Sequence, residues 1–228
     1  GVATALTVGL AAPGDTPVAW VQELFAGMVA ECSTVGAQVV GGDVSAAETL
    51  IISITALGDA EKPVTRAGAS AGDVVAYSGE LGMAAAGVGA LSRGFRSPKA
   101  AVDRHRVPQP PYEAGPQAAA AGATSLIDVS DGLIADLGHI AQASGVGINL
   151  ESSAFTIPEP VQTVASALGG VDPLQFILAG GEDYALAGTF PEGAVPEGWY
   201  VVGTVTTGEG VTVDGLVFEG ASGHTHWS

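Results

Sequence analysis

Apolar positions change their spacing several times along the chain, which predicts alternating helices and strands. The segment 49–57 is mostly apolar and rich in β-branched residues, which predicts a largely buried strand. After a strand-like run at 123–129, apolar residues recur at helical spacing at Leu133, Leu137 and Ile140. This alternation favours an α/β or α+β fold in which helices cover sheets. Near the beginning of the chain, a helical stripe is formed by Val18, Val21, Leu24, Phe25, Met28 and Cys32.

Two stretches interrupt the apolar pattern. The polar, turn-rich stretch 58–72 is the predicted boundary between two domains, 1–62 and 63–228. The stretch 93–115 is basic and then proline-rich, and it predicts an exposed connection. The single cysteine, Cys32, lies on the apolar helical stripe, so we expect it to pack in the core. A lone cysteine is compatible with a reducing, cytoplasmic location, which we predict.

Composition and charge narrow the possible functions. Of 228 residues, 47% are hydrophobic and 14% charged, which predicts a folded chain rather than a disordered one. The net charge of −17 argues against nucleic acid or an anionic membrane as a partner, and no apolar stretch is long enough to span a bilayer. All seven basic residues lie between positions 62 and 106, and 14 acidic residues follow them. A phosphate handled by the second half would therefore need divalent cations.

Three acidic clusters lie beside glycines or before a predicted helix, and each has a functional and a purely structural interpretation. The first is Asp43, which follows Gly41 and Gly42 at the end of a predicted strand at 37–40. The glycines would allow a ligand to approach the backbone, and Asp43 could bind a metal. The structural alternative is a plain turn that Asp43 caps.

The second cluster comprises Asp128, Ser130 and Asp131. The two carboxylates are three residues apart and could share a cation, and the Ser130 hydroxyl could donate to a phosphate at the helix N-terminus. The alternative is that Ser130 or Asp131 only caps the helix.

The third cluster is Glu182 and Asp183, directly after two glycines. Its structural alternative is a hairpin turn with two solvated carboxylates.

Arg66 is by default a surface residue, and His139 is expected to be packed in the core. The sequence has no Gly-x-x-x-x-Gly-Lys-Ser/Thr loop, so a P-loop kinase is excluded.

In their order along the chain, these segments resemble the thiamine-monophosphate kinases. The segment 128–140, DVSDGLIADLGHI, is similar to the long signature of that family, and GGEDY at 180–184 is similar to a second motif. The resemblance covers nearly the whole chain. Further matches, in the same order, are GGD at 41–43, ITALG at 54–58, RAG at 66–68 and SGELG at 78–82.

The resemblance implies a fold and an activity. The fold would be the two-domain α/β fold of aminoimidazole-ribonucleotide synthetase, with the N-terminal domains of two subunits paired in a homodimer. The activity would be Mg²⁺- and ATP-dependent phosphorylation of thiamine phosphate to thiamine diphosphate, in thiamine biosynthesis. The segment 1–62 would be an incomplete ATP-binding and dimerisation domain, and 63–228 the C-terminal domain.

The resemblance also assigns roles to residues at matching positions. Glu182 would contact thiamine phosphate, and Trp227 would pack on the substrate, with His224 as the alternative. We expect no protein nucleophile, because phosphoryl transfer depends mainly on positioning and charge neutralisation. The remaining assignments are Asp43, Asp128 and Asp131 to magnesium, and Gly42, Asp43, Arg66 and Ser130 to ATP.

Some features depart from the family pattern and keep two alternatives open. The family's acidic Gly-Asp-Asp segment is absent, and the segment 44–46 replaces the usual Thr and Arg after Gly-Gly-Asp. The chain could instead resemble another ATP-using enzyme of the same superfamily, such as selenophosphate synthetase. It could also be a non-catalytic nucleotide-binding fragment, since part of the metal site is missing.

Overall fold

The computed structural model describes residues 1–218 and divides the chain into two units. Unit 1 is Gly1–Pro63, and unit 2 begins at Val64. Within the described residues, no helix has both the length and the hydrophobicity needed to cross a bilayer.

Unit 1 consists of a three-stranded sheet and one long helix. Strand β1 lies in the centre, parallel to β2 and antiparallel to β3, and α1 is the crossover between the two parallel strands. The helix begins where the apolar stripe predicts it, directly after Pro17, and Cys32 is buried as expected. The elements are β1 (Val2–Ala12), α1 (Val18–Thr34), β2 (Gln38–Ala46) and β3 (Ile51–Asp59).

Two sequence-based predictions for unit 1 are wrong. The segment 41–43 is not a turn, because β2 continues through it beside β1 after a register shift. A Cβ on Gly42 would lie 1.9 Å from the Val8 carbonyl oxygen, so only glycine lets the two strands pair here. The strand at 49–57 exists as β3 at the edge of the sheet, but all residues of β3 are exposed.

Unit 2 is built on a mixed seven-stranded sheet in the order β10-β9-β6-β8-β4-β7-β5, in which β6 and β9 are parallel. Its strands are β4 (Val74–Ser78), β5 (Ser125–Val129), β6 (Gly147–Leu150), β7 (Ala185–Phe190), β8 (Tyr200–Thr206), β9 (Gly210–Val213) and β10 (Leu216–Val217). Its helices are α2 (Met83–Ser92), α3 (Lys99–Arg106), α4 (Ala114–Ala120), α5 (Leu133–Ser144), α6 (Glu159–Ala167) and α7 (Pro173–Ala179).

The main core of unit 2 lies between this sheet and α5. Leu133, Leu137 and Ile140 are fully buried there, as their helical spacing predicts. A second core joins α2, α3 and α6, and it includes the buried residues Ala101 and Val102 of α3. The prediction that 93–115 is simply an exposed connection is therefore wrong, because α3 buries its small apolar face against α2.

The buried carboxylate of Asp183 holds the beginning of α2. The first helical residue, Met83, follows Gly82, which has a left-handed backbone and no side chain to cap the helix. Asp183 supplies the cap from 101 residues away, because it accepts hydrogen bonds from the N–H groups of Gly82 (2.6 Å) and Ala84 (2.9 Å). Burial raises the pKa of Asp183 to about 6, although the two backbone donors act in the opposite direction.

This raised pKa predicts a specific pH dependence of stability. The carboxyl binds a proton more readily in the folded chain than in the unfolded chain, so its contribution is most favourable below about pH 4 and is lost as the pH rises through about 6. The parent should gain up to about 3 kcal/mol of unfolding free energy relative to Asp183→Asn between pH 7 and pH 4. Chemical denaturation of both proteins across this range would measure the difference. A difference independent of pH would contradict the assignment.

Candidate active site

The structure distributes the predicted site residues between the two units. Gly42 and Asp43 lie in β2 of unit 1, so the interpretation of Asp43 as a turn cap is wrong. Asp43 is exposed and accepts a hydrogen bond from the Ser45 hydroxyl (2.5 Å). Trp227 and its alternative His224 lie outside the described residues. Unit 2 contains Arg66, Asp128, Ser130, Asp131 and Glu182.

The loop between β5 and α5 is organised around Asp136. This buried residue accepts hydrogen bonds at one carboxylate oxygen from the N–H groups of Ser130, Asp131 and Gly132, at 3.0–3.1 Å. Burial raises the pKa of Asp136, which the backbone donors partly offset. Asp136 is not among the site residues predicted from the sequence, although its position four residues before Ile140, on the apolar face of a predicted helix, is a signal for a buried carboxylate.

Neither Ser130 nor Asp131 caps α5, so that structural interpretation is wrong. The cap position is Gly132, which has no side chain to accept a hydrogen bond from the first turn of α5. The Ser130 hydroxyl lies 3.5 Å from an Asp131 carboxylate oxygen, and both residues are half-buried. Asp128 is exposed near the end of β5. The side chains of this segment are therefore presented on a fixed backbone without serving as caps.

The segment 180–184 lies directly against this loop, backbone to backbone. The N–H of Glu182 donates to the Ser130 carbonyl (2.8 Å), and the N–H of Tyr184 donates to the Val129 carbonyl (3.0 Å). A Cβ on Gly181 would lie 2.4 Å from the same Ser130 oxygen, so the contact requires glycine. Glu182 and Tyr184 have positive φ values of 66° and 52°, which non-glycine residues rarely adopt outside functional or strained segments.

The carboxylates of the two segments act electrostatically on one phenol, that of Tyr184. The hydroxyl of Tyr184 donates to Glu182 at 3.4 Å. Burial raises the pKa of Tyr184, and the negative charges of Glu182, Asp128 and Asp131 raise it further. The interpretation of the third cluster as a hairpin with two solvated carboxylates is wrong: α7 precedes it, and Asp183 is buried, whereas Glu182 is exposed.

Two cavities in unit 2 contain the predicted residues. One, of about 660 Å³, is lined by Arg66 and Asp128 together with mainly apolar residues of β5 and its surroundings. The other, of about 520 Å³, brings Ser130, Asp131 and Glu182 together. Its remaining lining residues are Ala84, Ala85, Val88, His105, Ala179, Gly180 and Gly181.

The carboxylates of the site do not form a complete metal centre by themselves. Across residues 1–218, no three side chains of the Asp, Glu, His or Cys type are grouped closely enough to hold a metal ion. Oxygen donors such as Asp128 and Asp131 suit Mg²⁺, which is commonly bound by one or two carboxylates together with water and substrate phosphates.

His139 is exposed, so the prediction that it is packed in the core is wrong.

Comparison with protein families and curated relatives identifies the chain. The family of AIR synthase related protein, N-terminal domain, matches residues 1–60, and the corresponding C-terminal domain family matches 70–215. Thiamine-monophosphate kinase of Mycobacterium tuberculosis is 46% identical over 224 residues, which cover 97% of this chain and 67% of the relative. The enzyme of Corynebacterium glutamicum is 37% identical over 211 residues, which cover 89% of this chain and 63% of that enzyme.

Solved structures agree with this result. The structure of AaThiL complexed with AMPPCP and TMP matches with a TM-score of 0.92 at 32% identity, over 99% of this chain and 74% of that one. Thiamine monophosphate kinase from Aquifex aeolicus matches with a TM-score of 0.90 at 32% identity, over 96% of this chain and 76% of that one. The resemblance and the fold class predicted from the sequence are confirmed. This chain, which spans about two thirds of its mycobacterial relative, belongs to the AIR synthase related family and, within it, to the thiamine-monophosphate kinases.

Proposed function

We propose that this protein transfers the γ-phosphate of ATP to thiamine phosphate, which yields thiamine diphosphate. The observation that carries the proposal is the cavity at which two interlocked segments present Ser130, Asp131 and Glu182 in a chain of this family. A related protein, 32% identical, has been solved with AMPPCP, an ATP analogue, and TMP. Unit 1 would be part of the ATP-binding and dimerisation domain.

The chain's own groups leave the phosphates in need of cations. The N–H groups of residues 130–132 already donate to Asp136, so these three donors are not available to a phosphate oxygen. Ser130 can still donate through its hydroxyl, and Arg66 is the proposed cationic contact to ATP. No Lys or Arg follows Arg106 in the sequence. Phosphate binding would therefore depend on a divalent cation.

Asp43, Asp128 and Asp131 would hold Mg²⁺, as their motif positions imply. When bound, Mg²⁺ would neutralise the phosphate charge of ATP. Because the side chains of Asp128 and Asp131 extend from one fixed backbone segment, they would keep such a cation in a constant position. Gly42, which lies directly before Asp43 in β2, would contact ATP through its backbone, as its motif position implies.

The reaction needs no covalent enzyme intermediate. An oxygen of the thiamine phosphate group would attack the γ-phosphorus of ATP in line, and the bond from that phosphorus to the β,γ-bridging oxygen would break, which releases ADP. The role of the protein is to hold both anions in this alignment. Glu182 would hold the cationic thiamine moiety, and Trp227 would pack on it.

Nucleotide binding should depend on the metal ion. In calorimetry, the full-length protein should bind a non-hydrolysable ATP analogue with Mg²⁺ and bind it weakly with EDTA, because the carboxylates repel bare phosphates. Equal affinity with Mg²⁺ and with EDTA would refute the metal-dependent site.

Asp131→Asn should lose most activity at low Mg²⁺ while remaining folded. Asp15→Asn, which neutralises an exposed carboxylate in the loop before α1, is the matched control.

Glu182→Gln should weaken binding of thiamine phosphate by about 1–3 kcal/mol through loss of a charged interaction, with a smaller effect on ATP. The amide keeps an acceptor for the Tyr184 hydroxyl, so the loop should stay in place. Direct titration with each ligand separates the two effects. Glu197→Gln, at an exposed position before β8, should change neither affinity. A loss confined to ATP would instead place Glu182 in the nucleotide site.

We also propose a homodimer formed through the sheet of unit 1. Ile51, Ile52, Ile54 and Leu57 of the edge strand β3 are 40–56% exposed, and apolar patches of this kind commonly mark interfaces. Sedimentation of the full-length protein at micromolar concentration should therefore give a dimer. A monomer under these conditions would contradict the proposal.

A further inference from the structure

The helix α3 carries three consecutive basic residues that lie in different environments. Arg104 forms an ion pair with Glu80 at 2.5 Å. Arg106 lines a separate cavity of about 500 Å³ together with Arg104 and Glu80. His105 instead lines the 520 Å³ cavity that contains Ser130, Asp131 and Glu182. Among the described residues, it is the one basic side chain that lines this cavity.

Packing between α2 and α3 fixes the position of His105. A Cβ on Gly87 of α2 would lie 2.3 Å from the Ala101 carbonyl oxygen and 2.7 Å from the His105 Cβ, so the two helices approach closely only because residue 87 is glycine. Ala101, one turn before His105, is completely buried at this contact. The first turn of α2 is in turn held by Asp183, the neighbour of Glu182 in the chain. His105 and Glu182 are therefore attached to one packed framework.

His105 differs in charge from the other ionisable residues of the cavity. Its other ionisable lining residues, Asp131 and Glu182, are both acidic, so they suit a cation and repel a phosphate. Within residues 1–218, no hydrogen bond or ion pair uses the imidazole of His105. An imidazole can donate a hydrogen bond to a phosphate oxygen in either protonation state, and it does so more strongly when charged.

We propose that His105 is a substrate-binding residue that donates a hydrogen bond to the phosphate group of thiamine phosphate. This assignment rests on the proposed function and extends it. Glu182 and His105 would recognise opposite ends of one ligand, the cationic thiamine moiety and its anionic phosphate. The cavity would thereby favour the phosphorylated acceptor over free thiamine.

Binding of two acceptors to the full-length protein separates this role from a structural one. Calorimetry with Mg²⁺ and an ATP analogue would compare thiamine phosphate with thiamine, which lacks the phosphate. His105→Ala should weaken thiamine phosphate binding about tenfold to a hundredfold, as expected for a charge-assisted hydrogen bond, and change thiamine binding less than twofold. Glu182→Gln should weaken both ligands. His105→Gln, which keeps an N–H donor, should recover part of the loss and serves if the alanine variant does not fold.

His139→Ala is the matched control, because this exposed histidine of α5 does not line the cavity. It should leave both affinities unchanged. An equal loss of thiamine and thiamine phosphate binding in His105→Ala would make the residue structural and overturn the inference, as would unchanged binding of both. If the parent itself failed to bind thiamine phosphate, the proposed function would be wrong, and the inference would fall with it.

Discussion

The backbone contact between residues 129–132 and 180–184 is the constraint on which the site depends. Two hydrogen bonds join the segments, and the space between them admits no side chain at Gly181. Gly132 faces the same restriction, since a Cβ there would lie 2.9 Å from the Ala179 carbonyl oxygen. Because the main chains touch, the side chains of both segments extend from one rigid support. The positions of Ser130, Asp131 and Glu182 are therefore linked.

Two buried carboxylates support this contact from either side. Asp136 gathers three N–H groups of the first segment, and Asp183 anchors the second segment to the start of α2. Each buried carboxylate has a raised pKa because burial disfavours the charged form, so each carries an energetic cost in the folded chain. That cost is offset by satisfying backbone donors at loops and helix ends that would otherwise be unpaired.

The uneven distribution of charge explains how such an acidic protein could handle anions. Basic residues are confined to positions 62–106, and α3 carries several of them to the surface of unit 2. The candidate site itself combines carboxylates with few fixed cations. Under the proposed function, such a site would bind phosphates well only together with a divalent cation, which would make nucleotide binding responsive to the metal supply.

The sequence by itself determined the local elements, the family and the segments that form the candidate site. Helical spacing placed α1 and α5, and the motifs at 128–140 and 180–184 indicated the thiamine-monophosphate kinases, since such patterns act over a few neighbouring residues. Burial and pairing were decided only by the tertiary structure. The apolar strand β3 is exposed in unit 1, and the basic stretch contains α3, which packs closely against α2 at Gly87. Asp183 is a buried cap, not a solvated carboxylate, because its partners lie about a hundred residues away, beyond the reach of any local pattern.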